Sequence, residues 1–260
     1  MKVNIEELIA SRKNWFKTWF DSEFYHKLYA HRNEHEAEGF VRELVNELQP
    51  PPASAMLDLG CGNGRHAKYL AAKGFHVTGV DLAFSSIQYA KRWETERLKF
   101  YKHDMREPFG KNCFDYLFNF FTSFGYFTAE ENECVIRNMA TSLKDNGLVI
   151  IDYMNVTHSV KTLIADEENE IDGIVYRIHR WADESHIHKR IAIDNVQANL
   201  PYTNTESVMK LYKKDFIEMF EKNGLQLNTI YGDYQLNEYK AETSPRLILL
   251  AEKRRTVNSQ

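Results

Sequence analysis

Ala-Met-Leu-Asp-Leu-Gly-Cys-Gly-Asn-Gly-Arg, residues 55–65, is the stretch from which the rest of the chain can be understood. Its apolar start is followed by glycines at alternate positions, Gly60, Gly62 and Gly64, and then by a helical pattern over residues 66–73. Glycine lets the backbone turn sharply and lie close to a ligand, because it has no Cβ. Strand, glycine-rich turn and helix in this order predict a nucleotide-type binding loop, with a tight turn that binds nothing as the alternative.

Strand and helix patterns alternate after this loop, with strand patterns at residues 75–81, 98–103, 114–121 and 148–152. The alternation predicts a parallel, doubly wound α/β sheet with right-handed crossovers. In such sheets a ligand binds beyond the carboxyl ends of the strands. Asp81 and Asp104 lie at those ends, and Asp58 lies one residue inside the first strand.

Two helices of this region begin at signals for capping. Thr128 is followed three residues later by Glu131, and Ser85 likewise by Gln88. Both pairs predict a capping box, in which each residue of the pair bonds the backbone N–H of the other. Trp93 is expected on the buried face of the helix that starts at Ser85.

The flanking segments differ from this core, which spans residues 53–153. Residues 1–52 are rich in aromatic side chains and predict a helical arm that packs on the core or covers the loop as a lid. Residues 154–212 predict an antiparallel insertion, with strands at 174–181, 187–193 and 208–212. Residues 213–253 predict a helix and two antiparallel strands that complete the core, and residues 254–260 form a polar tail.

Composition narrows the classes of function. A chain of 260 residues with a formal net charge of −4 fits one large domain and argues against nucleic acid or an anionic membrane as the main partner. Cys61, Cys113 and Cys134 form no Cys-x-x-Cys pair, which indicates a reducing compartment. Because no signal-peptide pattern or long apolar run occurs, we expect a soluble, cytoplasmic protein.

The glycine spacing argues against a dinucleotide fold. Nicotinamide and flavin sites have Gly-x-Gly-x-x-Gly, in which the third glycine packs the helix against the strand. Here Gly64 comes one residue early, and Arg65 occupies the place of the third glycine. A nicotinamide-dependent oxidoreductase is therefore a weaker alternative.

At this point the chain resembles the class I methyltransferases that use S-adenosylmethionine. Residues 57–64 match their first motif, Gly79-Val80-Asp81 matches their acid-ended second strand, and Asp104 matches the acid after the third. The resemblance implies a seven-stranded, mostly parallel, Rossmann-like sheet whose last strand is antiparallel. The insertion and the arm loosely resemble those of small-molecule enzymes of the glycine N-methyltransferase kind.

The resemblance implies a role for each motif residue. The methionine part of the cofactor is expected against Gly60, Cys61 and Gly62, with Asp58 near its amino group. Its carboxylate needs a donor, for which Tyr29 and Arg32 are candidates, although a packing tyrosine and a surface arginine explain them equally well.

The adenosine part is expected at the next two strand ends. Asp81 is expected to accept from both ribose hydroxyls, since a carboxylate has two acceptor oxygens. Leu82 is expected to contact the adenine, Asp104 to accept from its amino group, and the Met105 backbone N–H to reach a ring nitrogen.

The methyl group is expected beside the end of the fourth strand, where Phe120 and Phe121 flank the sulfonium. Tyr126 lies just beyond and is the candidate catalytic residue facing the acceptor, with a packed aromatic ring as the alternative. His158, Tyr202, Tyr231 and Tyr239 are further candidates for the acceptor pocket, which we place in the insertion and the arm. Arg246 either binds an acidic substrate or, as we favour, anchors the turn before the last strand.

Two histidine pairs, His31 with His35 and His186 with His188, share a face of a predicted helix and strand. Neither has a suitably spaced third ligand, so we expect no metal site.

The sequence therefore predicts methyl transfer from S-adenosylmethionine to a small-molecule acceptor through nitrogen or oxygen. A cofactor-binding regulatory module without methyl transfer is the main alternative. Neither the acceptor nor the oligomeric state follows from the sequence.

Overall fold

A seven-stranded sheet forms the centre of the protein, whose computed structural model describes residues 15–29, 34–195 and 200–255. Its strands are β1 (Ala55–Leu59), β2 (His76–Asp81), β3 (Leu98–Lys102), β4 (Phe114–Asn119), β5 (Leu143–Met154), β10 (Leu225–Tyr231) and β11 (Arg246–Lys253). Their order is β10-β11-β5-β4-β1-β2-β3. β11 runs antiparallel to both β5 and β10, whereas β1 to β5 pair in parallel, which confirms the predicted fold class.

The position of β1 determines where a ligand can bind. β1 pairs with β2 on one side and with β4 on the other, so the strand order reverses beside it. The connections leaving two such strands pass to opposite faces of the sheet, which opens a crevice at their carboxyl ends. The glycine loop begins at that crevice.

Helices cover both faces of this sheet. They are α1 (Trp15–Trp19), α2 (Glu23–Leu28), α3 (Glu34–Leu48), α4 (Arg65–Ala72), α5 (Phe84–Ala90), α6 (Ala129–Ser142), α7 (Val156–Lys161) and α8 (Lys213–Lys222). The capping box of α6 is confirmed, because the Glu131 N–H donates to Thr128 Oγ1 at 3.3 Å and the Thr128 N–H donates to Glu131 Oε2 at 3.1 Å. None of the helices in the described ranges is long and apolar enough to cross a bilayer.

The capping box predicted at Ser85 is wrong. Helix α5 begins one residue earlier, at Phe84, and Ser85 lies inside it. Carboxylates from elsewhere accept the first N–H groups instead: Asp81 Oδ1 from Ala83 at 2.8 Å and Asp21 Oδ1 from Ser85 at 2.6 Å. The prediction that Trp93 is buried is also wrong. Trp93 lies beyond the end of α5 and is 44% exposed.

A second, antiparallel sheet has four strands rather than the predicted three: β6 (Asp166–Ile171), β7 (Ile174–Ala182), β8 (His186–Asn195) and β9 (Leu200–Met209). Strand β6 lacks an apolar pattern because it is an edge strand, paired with β7 alone and half exposed along its length. The third predicted strand, 208–212, overlaps only the end of β9. Tyr212 instead caps α8, since its N–H donates to Asp215 Oδ2 at 2.7 Å.

The two sheets share one hydrophobic core. Tyr176 and Ile191 of the second sheet lie in the same buried cluster as Leu117 of β4 and Phe216 of α8. A separate cluster on the other face of the main sheet contains Phe40 of α3. The second sheet is therefore packed directly against the core of the main sheet rather than attached by a linker.

Candidate active site

A cavity of about 260 Å³ lies at the carboxyl ends of the parallel strands. We call it the strand-end cavity. Of the residues predicted from the sequence, it is lined by Tyr29, Gly60, Cys61, Gly62, Asp81, Leu82, Asp104, Met105, Phe120, Phe121 and Tyr126. Asp58 does not line it, and Arg32 falls outside the described residues.

The glycine loop is held against β2. The N–H groups of Gly60 and Cys61 both donate to the Val80 carbonyl, at 2.8 and 3.0 Å. A Cβ on Gly60 would lie 2.8 Å from Ser123 Cβ, and one on Gly64 would lie 2.5 Å from Phe100 Cζ. Around Gly62 nothing lies within 4 Å of such a Cβ. Packing thus explains the outer two glycines, whereas Gly62 leaves open space in the cavity wall.

This contrast predicts different outcomes for two alanine substitutions. Gly64→Ala is expected to lower the free energy of unfolding by about 2–3 kcal/mol, because φ is positive and Phe100 must move. Gly62→Ala strains only the backbone, by about 1 kcal/mol, but fills ligand space. It is expected to fold and to bind S-adenosylmethionine at least about tenfold more weakly. Urea unfolding measures the stabilities, and calorimetry measures the cofactor affinities. Wild-type cofactor affinity in Gly62→Ala would contradict the explanation that Gly62 leaves space for the ligand.

Asp81 binds backbone N–H groups with both carboxylate oxygens, one of them in the glycine loop. Oδ2 accepts from the Gly62 N–H at 2.8 Å, and Oδ1 accepts from the Ala83 N–H at 2.8 Å. Burial raises the pKa of Asp81, and these backbone N–H groups offset part of that rise. Each carboxylate oxygen can accept a further hydrogen bond, so Asp81 has the acceptors that a ribose diol needs.

Asp104 is bound to a neighbouring arginine. Arg106 donates to it from Nε at 3.0 Å and from its terminal nitrogen at 2.7 Å, and also to Glu131 Oε1 at 2.7 Å. Burial alone raises the pKa of Asp104, but the hydrogen bonds and charge of Arg106 outweigh burial and lower it. Asp104 is therefore an ionised acceptor at the cavity wall, oriented by a bidentate ion pair.

Asp58 lies behind the loop, only 1% exposed. Neither of its oxygens is within hydrogen-bond distance and geometry of a donor in the described residues. Burial, followed by the charge of Asp81, raises the pKa of Asp58 to about 7, while the dipole of the Ala67 N–H and the charge of Arg65 offset part of the rise. Its predicted proximity to a cofactor amino group stays a prediction.

The raised pKa of Asp58 predicts how stability depends on pH. The folded protein keeps the Asp58 proton up to about pH 7, whereas the unfolded chain keeps it only up to about pH 3.8. The contribution of this proton to folding stability is therefore complete below pH 3.8 and is lost as the pH rises through 7. Cofactor-free Asp58→Asn is expected to gain a few kcal/mol relative to wild type between these limits. Denaturant titrations at several pH values measure this, and a pH-independent difference would contradict it.

The chain takes an unusual path where β4 ends. Phe121 and Thr122 have positive φ angles of 56° and 58°, a conformation that bulky residues rarely adopt. Buried Asp152 of β5 stabilises the turn, since Oδ2 accepts from the Phe121 N–H at 2.8 Å and its carbonyl accepts from the Thr122 N–H at 3.0 Å. Arg246 of β11 in turn donates from Nε to Asp152 Oδ1 at 2.7 Å and from Nη2 to Thr122 Oγ1 at 2.9 Å.

Arg65 and His66 also line the strand-end cavity, although the sequence reasoning gave neither a ligand role. The Arg65 guanidinium lies 4.7 Å from the Phe121 ring centre, and the His66 ring lies 4.9 Å from that of Phe120. His66 Nε2 is buried and has no partner in the described part of the chain. Burial, with a smaller effect of Arg65, lowers the pKa of His66 to about 3, so the imidazole is neutral. The position of Arg65 and His66 in the first helical turn after the glycine loop was the sequence signal that could have placed them in the cavity.

The described part of the arm covers this cavity. Phe16, Phe20, Tyr25, His26 and Tyr29 all line it. One contact reaches the core, where His26 Nε2 and Ser85 Oγ are 3.0 Å apart, and another reaches the second sheet, where Trp19 Nε1 donates to Glu206 Oε1 at 2.6 Å. The arm thus bridges the two sheets over the crevice.

Tyr126 lies among these aromatic side chains. Its hydroxyl donates to the Thr122 carbonyl at 2.5 Å, and its ring meets Trp15 and Phe20 edge-on at 5.5 and 5.3 Å. Because its proton already has an acceptor, the geometry suits a positioning wall better than a proton carrier. The catalytic role of Tyr126 stays a prediction.

A second cavity, of about 690 Å³, lies between the aromatic side chains around Tyr126 and the second sheet, and we call it the inter-sheet cavity. It shares Phe20, Tyr25, Tyr29, Phe121 and Tyr126 with the strand-end cavity. Its remaining lining includes Arg180, His188, Lys189, Glu206, Tyr234 and Arg246. The candidates His158, Tyr202, Tyr231 and Tyr239 line neither cavity.

Within the described ranges, no three His, Cys, Asp or Glu side chains are grouped as a metal site would require. His188 bonds Asp183 and Ser207, at 2.8 and 2.9 Å, and His186 contacts Ser185 at 2.8 Å. His31 and the side chain of His35 lie outside the described residues.

Comparison with known proteins agrees with this arrangement. Residues 56–147 match the family described as "Methyltransferase domain". YqeM of Bacillus subtilis (strain 168), provisionally named a methyltransferase, is 26% identical over 223 residues, covering 82% of this chain and 90% of YqeM. Glycine N-methyltransferase of Rattus norvegicus is 26% identical over 137 residues, covering 46% of each protein, so the similarity to that enzyme is present but limited.

Solved structures share the fold across nearly the whole chain. An S-adenosylmethionine-dependent methyltransferase from Clostridium acetobutylicum superposes with a TM-score of 0.75, covering 97% of this chain and 100% of the other at 16% identity. The sugar N-methyltransferase KedS8 from Streptoalloteichus sp. gives 0.66, covering 98% and 94% at 16% identity. The chain thus carries a methyltransferase domain at residues 56–147, and its fold is shared with S-adenosylmethionine-dependent methyltransferases.

Proposed function

We propose that the enzyme holds S-adenosylmethionine in the strand-end cavity and a small-molecule acceptor in the inter-sheet cavity. The adenosine would lie toward Asp81 and Asp104, and the methyl group would face the shared wall of Phe121 and Tyr126. The observation that carries this proposal is the shared lining, because methyl transfer needs two sites that meet at one boundary.

The residues of the strand-end cavity fit the proposed cofactor. Asp81 has spare acceptor capacity for the ribose hydroxyls, and Gly62 leaves space beside the loop. Asp104 is an acceptor at the next strand end, where an adenine amino group needs one. Phe120 and Phe121 line the cavity where the methyl end would lie, and aromatic ring faces attract a cation.

The bound cofactor supplies an electrophilic methyl group, so the chain has little covalent chemistry to perform. The protein must align the acceptor and exclude water. The aromatic arm over both cavities suits the second task, and we propose that residues 1–52 act as a lid and residues 154–212 as the acceptor wall. The core would comprise residues 53–153 and 213–253.

We further propose nitrogen rather than oxygen as the nucleophile. A hydroxyl needs a base to take its proton, whereas a neutral amine does not. Both ring nitrogens of His188 are engaged, and the Tyr126 proton is held by a carbonyl. Glycine N-methyltransferase, a partial relative, is also named for transfer to nitrogen. The free state of Cys61, Cys113 and Cys134 supports our proposal of a cytoplasmic location.

Calorimetry with S-adenosylmethionine, followed by methyl-transfer assays on a panel of small amines and alcohols, tests this proposal. We expect binding, and transfer to an amine. Binding without transfer to any acceptor would favour the regulatory alternative, and binding of a nicotinamide cofactor in its place would contradict the proposal.

A further inference from the structure

We propose that the acceptor carries an acidic group, a carboxylate or a phosphate, and that Arg180 and Lys189 bind it. This inference rests on the proposed function, because it assigns the substrate class of the inter-sheet cavity.

The register of the second sheet brings two like charges together. Arg180 of β7 lies directly opposite Lys189 of β8. Both side chains line the inter-sheet cavity. Like charges directly opposite in a sheet are destabilising. Glu167 and Glu206 flank the pair on the neighbouring strands and offset part of that cost, and an anionic ligand on the cavity side would offset more of it.

The carboxylates that bind the two arginines of this cavity lie outside its lining. Glu167 Oε2 accepts from Arg180 at 2.5 Å, and Asp152 accepts from Arg246, yet neither carboxylate lines the cavity. A ligand therefore meets the guanidinium groups while the balancing charges lie behind them. Each arginine keeps N–H groups without a partner among the described residues, so both can donate further.

The carboxylate that does line the cavity faces the arm. Glu206 lies opposite Lys189 in the register, and its Oε1 accepts from Trp19 Nε1 at 2.6 Å and from the Tyr29 hydroxyl at 3.3 Å. Lys189 also donates to the Tyr29 hydroxyl. The negative charge of Glu206 thus lies at the aromatic end of the cavity, where the amine would lie. The positive charges of Arg180 on β7 and Arg246 on β11 lie elsewhere in the lining.

This polarity defines the substrate class as a small amine that also bears a carboxylate or phosphate. The acid would contact Arg180 and Lys189, with Arg246 approaching from the main sheet. The amine would then point past Tyr126 toward the methyl group.

Titration of inorganic phosphate and of acetate into the protein tests this site, with sodium chloride as the ionic-strength control. The calorimetric titration is made both with and without S-adenosylhomocysteine. We expect saturable binding of at least one anion. Arg180→Gln is expected to weaken it about tenfold, as loss of one charge-assisted contact does, and Arg180→Lys to retain most of it. Arg177→Gln is the matched control, because Arg177 lies on the same strand but pairs with Glu168 and Asp194.

Absence of saturable binding for both anions, or equal weakening by Arg180→Gln and Arg177→Gln, would overturn the inference. Because S-adenosylhomocysteine binding is measured in the same samples, failure of the proposed function is distinguishable. If the proposed function is wrong and the acidic-group site is right, the anion binds and S-adenosylhomocysteine does not.

Discussion

Replacement of Asp81 by alanine is expected to weaken S-adenosylmethionine binding by about a hundredfold or more. A hydrogen bond to a charged group contributes about 1.5–3 kcal/mol, and we expect two such bonds to the ribose. Each 1.4 kcal/mol corresponds to about a factor of ten in the dissociation constant. The substitution also removes the acceptor of the Gly62 N–H, which loosens the loop. Calorimetric titration of both proteins measures the change.

Asp115→Ala provides the matched control for this experiment. Asp115 also accepts a backbone N–H, that of Ala55 at 2.8 Å, but it lies at the start of β4, away from both cavities. The control is expected to lose stability while its cofactor affinity stays near that of wild type. Equal effects of the two substitutions on affinity would show that Asp81 acts only through folding.

Asp152→Ala is expected to lower the free energy of unfolding by about 3–5 kcal/mol. Removal of one partner from a buried ion pair leaves the other charge uncompensated. Here Arg246 would lose its charged partner, and the Phe121 N–H and the Tyr234 O–H would each lose their acceptor. Chemical denaturation measures the loss.

The double variant Asp152→Leu with Arg246→Met separates charge from packing. Replacing a whole buried pair by apolar residues is often close to neutral, so the double variant is expected to be more stable than Asp152→Ala. Its turn at Phe121 would still lack an acceptor, and we expect slow methyl transfer. A double variant as unstable as the single one would show that the ion pair is not the source of the loss.

The elements that the sequence predicted well depend on local signals. The glycine loop, the acids at the ends of β2 and β3, and the Thr128 capping box each follow from residues a few positions apart. The parallel sheet with an antiparallel closing pair followed from the alternation of strand and helix patterns and from the short connection before the last strand.

The remaining features depend on contacts between distant residues, which local patterns do not contain. Arg246 binds Asp152 across 94 positions, and Trp19 reaches Glu206 across 187. Ser85 illustrates the same limit, because its helix begins with acceptors from Asp81 and Asp21 and needs no cap of its own. The positive φ of Phe121 likewise comes from Asp152 and not from any glycine in that turn.

A crystal structure of the protein with S-adenosylhomocysteine tests the central claim most directly. We expect the ribose within hydrogen-bond distance of Asp81, the adenine beside Asp104 and Met105, and the sulfur at the wall of Phe121 and Tyr126, facing the inter-sheet cavity. A ligand bound elsewhere, or one whose sulfur faces away from that cavity, would contradict the account.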